Sequence, residues 1–184
     1  MDDDRLVKVS RYLSKHLRHR PERLGLDLEA GGWVSIERLL EACNRQGMRL
    51  SRAELDEVVR RNDKQRYSID ATGTRIRANQ GHSIDVDLQL EPAVPPAVLF
   101  HGTGAASVPS ILRDGLDRRG RHHVHLSADV GTARRVGARH GRPAVLQVDA
   151  AGLSDAGALF FVSDNGVWLT KSVPARFVSL LMEN

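Results

Sequence analysis

Apolar positions at the start of the chain recur with the period of a helix. Leu6, Val9, Leu13 and Leu17 fall three or four residues apart, which predicts an amphipathic helix over 5–19 with one buried stripe. Lys8, Arg11, Lys15 and Arg18 repeat at the same spacing and, at about 100° per residue, lie nearly opposite that stripe. Gly25 and the pair Gly31-Gly32 interrupt the pattern, and Trp33-Val34 opens a new segment. Ser35 then caps a second helix that turns Ile36, Leu39 and Leu40 inward. Ser51-Arg52-Ala53-Glu54 is a capping box for a third helix over 52–62, with Leu55, Val58 and Val59 on its inner face. A strand pattern takes over at Arg66-Tyr67-Ser68-Ile69 and Thr74-Arg75-Ile76-Arg77, two strands joined by a turn over 70–73.

The pattern breaks at 91–97, where Pro92, Pro95 and Pro96 can continue neither a helix nor a central strand. This stretch reads as a stiff linker between residues 1–90 and residues 98–184. Beyond it, Val98-Leu99-Phe100 and Val124-His125-Leu126 read as strands, as do 144–149, 158–163, 166–170 and 176–182. Only two helices are expected among them, over 107–115 and 129–140. Short strands with few helices indicate an α+β sheet unit rather than a doubly wound fold. No GxGxxG follows the first of these strands, so a Rossmann site has no support. Three helices followed by a two-stranded ribbon give the first half the pattern of a winged helix, a frequent nucleic-acid-binding architecture.

Composition narrows the picture. With 184 residues, 41% of them hydrophobic and 27% charged, the chain is an ordinary globular one, and no apolar run is long enough to span a membrane. The start, Met1-Asp2-Asp3-Asp4, has no apolar core of a secretory signal. The single cysteine, Cys43, excludes an intramolecular disulfide framework and a cysteine-based zinc site, and the cytoplasm is the expected compartment. The 27 basic residues include only four lysines, so 23 are arginine, yet the net charge is only +4. Arg-favouring codon usage accounts for the ratio as well as a function does, so placement has to decide which arginines matter.

Several short constellations could carry chemistry. Arg18 ends the basic stripe with His19 beside it, and a guanidinium fork next to an imidazole suits a phosphate, although a solvated helix face with a capping histidine would look the same. Asn62-Asp63-Lys64-Gln65-Arg66 leads into the first strand of the ribbon. Lys64 there can be explained by the helix dipole, Arg66 less easily. In Arg77-Ala78-Asn79-Gln80-Gly81-His82-Ser83, small and amide residues ending on glycine suit either a polar connection or a loop whose backbone approaches a ligand. His101, Gly102 and Thr103 fall near the end of a strand, a usual place for ligands. His122, His123 and His125 invite a zinc reading. In a strand, however, His122 points away from the other two and no fourth ligand is near, so a histidine lining a cleft beside His101 is preferred and no metal is expected.

Taken in order, SKHLRHRP, GLDLEAGGWVSIERLL, RNDKQRYSI, IRANQGHS, HGT, GRHHVHLS and NGVWLTKSVP resemble the RNA 2′-phosphotransferase family over nearly the whole chain. The resemblance implies a winged-helix domain followed by an ADP-ribosyltransferase-like β-sheet domain that binds NAD. It implies that NAD is consumed as co-substrate, that RNA bearing a 2′-phosphate is the partner, and that neither metal nor membrane is involved. It maps a catalytic Arg-His-Arg-Arg set onto Arg18, His19, Arg66 and Arg121. Arg118 and Arg119 compete for the last place, and the spacing to Val124-His125-Leu126-Ser127 favours Arg121. His101, Gly102, Thr103, His125 and Ser127 are then candidates for holding NAD. Gln80, Gly81 and His82 are expected where the two substrates meet, and Lys8, Arg11, Lys15 and Lys64 along the RNA backbone. Many ADP-ribosyltransferases carry a glutamate before their final turn, whereas Val167 to Val173 contains no acidic residue here. A monomer is expected. Two rival readings are an ADP-ribosyltransferase acting on nucleic-acid terminal phosphates or on protein, and a winged-helix DNA-binding regulator that senses a dinucleotide. Glu54, Asp56 and Glu57 on the third helix argue against the second.

Overall fold

The computed structural model describes residues 1–62 and 65–182. Its contacts divide into two compact units, Met1–Leu90 and Glu91–Asn184. Both mix helices with small antiparallel sheets.

The first unit begins with helix α1, Asp3–Arg18, which starts earlier than the apolar pattern alone indicates because Asp2 caps it by accepting from the Arg5 amide. Val9, Leu13 and Leu17 are fully buried in the core, and Leu6 packs against it from the edge. Helix α2, Ile36–Arg45, starts at the Ser35 cap, and helix α3, Arg52–Arg60, at the reciprocal Ser51/Glu54 capping box. The three helices enclose one core with Leu39, Leu55, Val58, Tyr67 and Ile76. Glu54 also takes a 2.6 Å hydrogen bond from Arg5 Nε, which joins α1 to α3. That bond, with the Ser51 amide, holds the Glu54 carboxyl down at about 2. A depressed carboxyl stabilises the fold fully above the ordinary carboxylate range and stops doing so as pH falls through about 2. Glu54→Gln should therefore lower the thermal midpoint at pH 7, and the gap to the unaltered protein should close as unfolding is followed at progressively more acidic pH.

The expected two-stranded ribbon is a three-stranded sheet. Strand β1, Trp33–Ser35, pairs antiparallel with β3, Arg75–Ala78, which also pairs with β2, Tyr67–Ile69. The extra strand forms because Trp33 lies directly across from Arg77, whose guanidinium sits 4.6 Å from the indole centroid, while Val34 reaches the core on the other face.

The second unit is built on two three-stranded sheets. In one, β4, Val98–Gly104, pairs along its whole length with β7, Pro143–Asp149, and β7 carries β11, Val178–Leu180, on its other edge. In the other, β9, Trp168–Thr170, lies between β6, Val124–Leu126, and β8, Phe160–Val162. Phe100 of β4 and Ser127 exchange backbone hydrogen bonds of 2.9 and 2.7 Å, and this bridge joins the two sheets. Helix α4, Val108–Asp114, precedes a short pair of strands, β5, Leu116–Asp117, and β10, Ser172–Val173. Helix α5, Val130–Gly137, crosses β4. A third helix that the pattern does not predict, α6, Ala150–Asp155, is opened by Asp149, whose side chain accepts from the Gly152 amide.

The proline-rich stretch is tethered to the second unit. Pro92 bridges to Phe161, and the Ala93 amide bonds the Phe160 carbonyl at 2.8 Å. Among the described residues, no helix is long and apolar enough to cross a membrane.

Candidate active site

In the first unit the candidates gather around the end of α1 and the segment that follows β3. Helix α1 delivers Lys8, Arg11 and Lys15 as exposed cations along one side, with Arg18 half-buried in the last turn and His19 exposed at its cap. His16 is buried, and its ring lies tilted against Tyr12 with centroids 4.3 Å apart.

Arg66 is placed from both sides by amide groups. The Asn62 Oδ1 accepts from the Arg66 amide and from its Nη1, each at 3.4 Å, while Asn62 Nδ2 donates to Ser10 Oγ of α1 at 3.2 Å. The Asn79 amide bonds the Arg66 carbonyl at 2.9 Å, and Asn79 Nδ2 bonds the neighbouring Gln65 carbonyl at 2.7 Å. Next along β2, the Tyr67 hydroxyl bonds the Ser10 carbonyl and Ser14 Oγ, both at 2.6 Å. Ser14 lies one turn before Arg18, so α1 and the start of β2 are tied together just ahead of the basic pair.

The segment after β3 then reaches the helix end. Gly81 has φ of +85°, which other residues adopt only under strain. His82 is 1% exposed, so its ring sits inside the unit rather than on a surface, and Gln80 stays half-exposed. Ser83 returns its amide to the Arg18 carbonyl at 3.0 Å and its hydroxyl to His19 Nδ1 at 2.8 Å. Thus Arg18, His19 and Arg66 all touch one short segment, Asn79 to Ser83. Lys64 lies outside the described residues. The roles of Asn62, Asn79 and Ser83 leave no signal in the sequence, since no spacing marks a contact made across the fold.

In the second unit the bridge between β4 and Ser127 sets His101 beside His125. His101 Nδ1 is 3.1 Å from the His125 carbonyl, which can only accept, so Nδ1 carries the proton and Nε2 the lone pair. Burial, aided by the charges of Arg119, His140 and Arg121, pushes the His101 pKa below its ordinary value, so the ring is neutral at pH 7. His125 has the opposite arrangement. Arg121 Nη1 lies 3.2 Å from His125 Nδ1, and a guanidinium can only donate, so the neutral ring carries its proton on Nε2. The two neutral rings therefore carry their protons on opposite nitrogens. Thr103 is buried, and Gly102 packs directly under α5, where a Cβ would overlap the Ala133 carbonyl. His123 rests on Phe161 with ring centroids 5.7 Å apart.

Several arginines are committed to carboxylates. Arg5, Arg52, Arg61, Arg75 and Arg113 each form a salt bridge to a carboxylate. Arg66 and Arg121 form no ion pair among the described residues and hydrogen-bond neutral groups instead, Asn62 and His125. A cation held by a neutral partner keeps its charge available to an anion.

A family model described as RNA 2′-phosphotransferase, Tpt1/KptA family, matches residues 4–172. The chain belongs to this family. Among similar proteins, a "Probable RNA 2′-phosphotransferase" of Trichormus variabilis is 55% identical over 181 residues, 98% of this chain and all of the relative. Those of Streptomyces griseus and Herpetosiphon aurantiacus, with the same description, are 57% and 56% identical over 98% of this chain and 99% of their own lengths. The match to the RNA 2′-phosphotransferase family thus runs through residues of both units.

Proposed function

We propose that this protein is an NAD-dependent RNA 2′-phosphotransferase. It removes an internal 2′-monophosphate from RNA and yields 2′-OH RNA, nicotinamide and ADP-ribose 1″,2″-cyclic phosphate. The first unit is read as a winged-helix RNA-binding domain and the second as an ADP-ribosyltransferase-like, NAD-binding domain. The observation that carries the reading is the pair of arginines, Arg66 and Arg121, held by neutral partners within a chain that matches the family over residues 4–172.

In the first step an oxygen of the RNA 2′-phosphate attacks C1″ of NAD, and the C1″–N bond breaks to release neutral nicotinamide. A phosphomonoester is close to a dianion at pH 7, so this nucleophile needs no base. The acid-free stretch Val167 to Val173 suits it, because a carboxylate there would repel the phosphate. In the second step the ADP-ribose 2″-oxygen attacks phosphorus and the bond from phosphorus to the RNA 2′-oxygen breaks. Extra charge builds on the phosphoryl oxygens, and Arg18, Arg66 and Arg121 are the groups to stabilise it. His19 takes the proton of the 2″-hydroxyl and supplies one to the departing 2′-oxygen. His101 and His125, their protons on opposite nitrogens, suit the hydroxyl groups of NAD, with Thr103 and Ser127 on the adjoining strands. Lys8, Arg11 and Lys15 line the RNA backbone without reading sequence.

The test is incubation with an oligonucleotide bearing one internal 2′-phosphate, with and without NAD. Loss of the phosphate only when NAD is present, with one nicotinamide released per phosphate lost, is expected. Phosphate loss that ignores NAD, or nicotinamide release without it, contradicts the proposal.

A further inference from the structure

The end of α1 is closed by a residue 64 positions away in sequence. The last carbonyls of a helix lack partners within it. His19 and Arg20 both bond the Lys15 carbonyl, at 3.2 and 3.1 Å, and the Arg18 carbonyl is met by the Ser83 amide at 3.0 Å. Ser83 is exposed, but its neighbours hold it firmly: His82 is 1% exposed, Gly81 makes the turn at φ +85°, and the Asn79 amide is fixed to the Arg66 carbonyl. The segment is thus clamped at both ends, and it presents one hydroxyl, Ser83 Oγ, to one atom, His19 Nδ1, at 2.8 Å.

From this geometry we infer that Ser83 is the positioning residue of His19: its hydroxyl accepts from Nδ1–H, fixes the ring rotation and the tautomer, and makes Nε2 the nitrogen that meets substrate. A hydroxyl can also donate to an imidazole. That arrangement breaks as soon as the ring is protonated, whereas an accepting hydroxyl keeps its bond in the neutral and the cationic ring alike. A histidine that takes a proton and later gives one back needs the second arrangement. The assignment of a working role to Nε2 rests on the function proposed above; the geometry of the pair does not.

Ser83→Ala isolates the hydroxyl. It leaves the backbone bond to Arg18 in place and, at an exposed position, opens no cavity. Nitrogen-15 NMR of the histidine side chains, read at alkaline pH in the free protein, is expected to show neutral His19 with its proton on Nδ1. In Ser83→Ala it should show a mixture or the Nε2–H form, and Ser83→Thr should restore the single tautomer. In turnover, Ser83→Ala should lower kcat by roughly tenfold, the scale of lost positioning bonds to a working imidazole, with the KM for both substrates little changed. A His19 found as the Nε2–H tautomer in the unaltered protein, or nitrogen shifts identical in Ser83→Ala, would overturn the inference. The NMR result does not depend on turnover, so an inactive protein with the expected tautomer would reject the proposed function and leave the Ser83 assignment standing.

Discussion

Alanine at Arg66 or at Arg121 should turn a two-step enzyme into one that stops half-way. Nicotinamide release in a single turnover is expected to fall by less than about tenfold, because the attacking phosphate arrives already charged. The second step should fall by about 10²- to 10³-fold, the usual loss when a group aimed at developing charge is removed. ADP-ribosylated 2′-phospho-RNA should therefore accumulate, visible as a slower band on a denaturing gel and by its mass. Both arginines hydrogen-bond neutral groups, Asn62 and His125, so their removal strands no carboxylate in the fold. Equal losses in both steps would show that the two side chains act in binding rather than on the charge that builds on the phosphoryl oxygens.

The second large effect concerns stability. A methyl group at Gly102 would overlap the Ala133 carbonyl and meet the Gly137 nitrogen at 2.9 Å, both backbone atoms of α5 that cannot rotate aside. Gly102→Ala must push α5 off β4, at a cost of about 1–3 kcal/mol or more, which for a unit of this size lowers the thermal midpoint by roughly 10 °C. Gly120→Ala is the control, since its Cβ would meet nothing within 4 Å. A midpoint unchanged in Gly102→Ala would mean that α5 does not rest on β4. The glycine beside His101 is thus explained by packing. Its place in a ligand motif does not require that it touch the ligand.

Long periodic segments were legible from sequence. The stripe Leu6 to Leu17 and the capping box at Ser51 identify α1 and α3 because burial and end chemistry are written into neighbouring residues. β1 was not legible: three residues are too few for alternation to register, and its partner Arg77 lies 44 residues on. α6 has only six residues, and the one local signal was its Asp149 cap. The same limit applies to the site. Arg18, His19, Arg66 and Arg121 stand out through motifs that match a family. Asn62, Asn79 and Ser83 lie in the same motifs, but the contacts they make across the fold leave no mark in the sequence. His82 shows the converse, a motif residue whose ring is 1% exposed and which serves to anchor the segment that Ser83 ends.

The most direct measurement follows the phosphorus atom. An oligonucleotide with a ³²P-labelled internal 2′-phosphate is incubated with the protein and NAD, and the labelled products are separated. The label is expected to leave the RNA and appear in ADP-ribose 1″,2″-cyclic phosphate. Label released as inorganic phosphate, or retained on RNA that carries ADP-ribose as the end product, would contradict the proposed reaction.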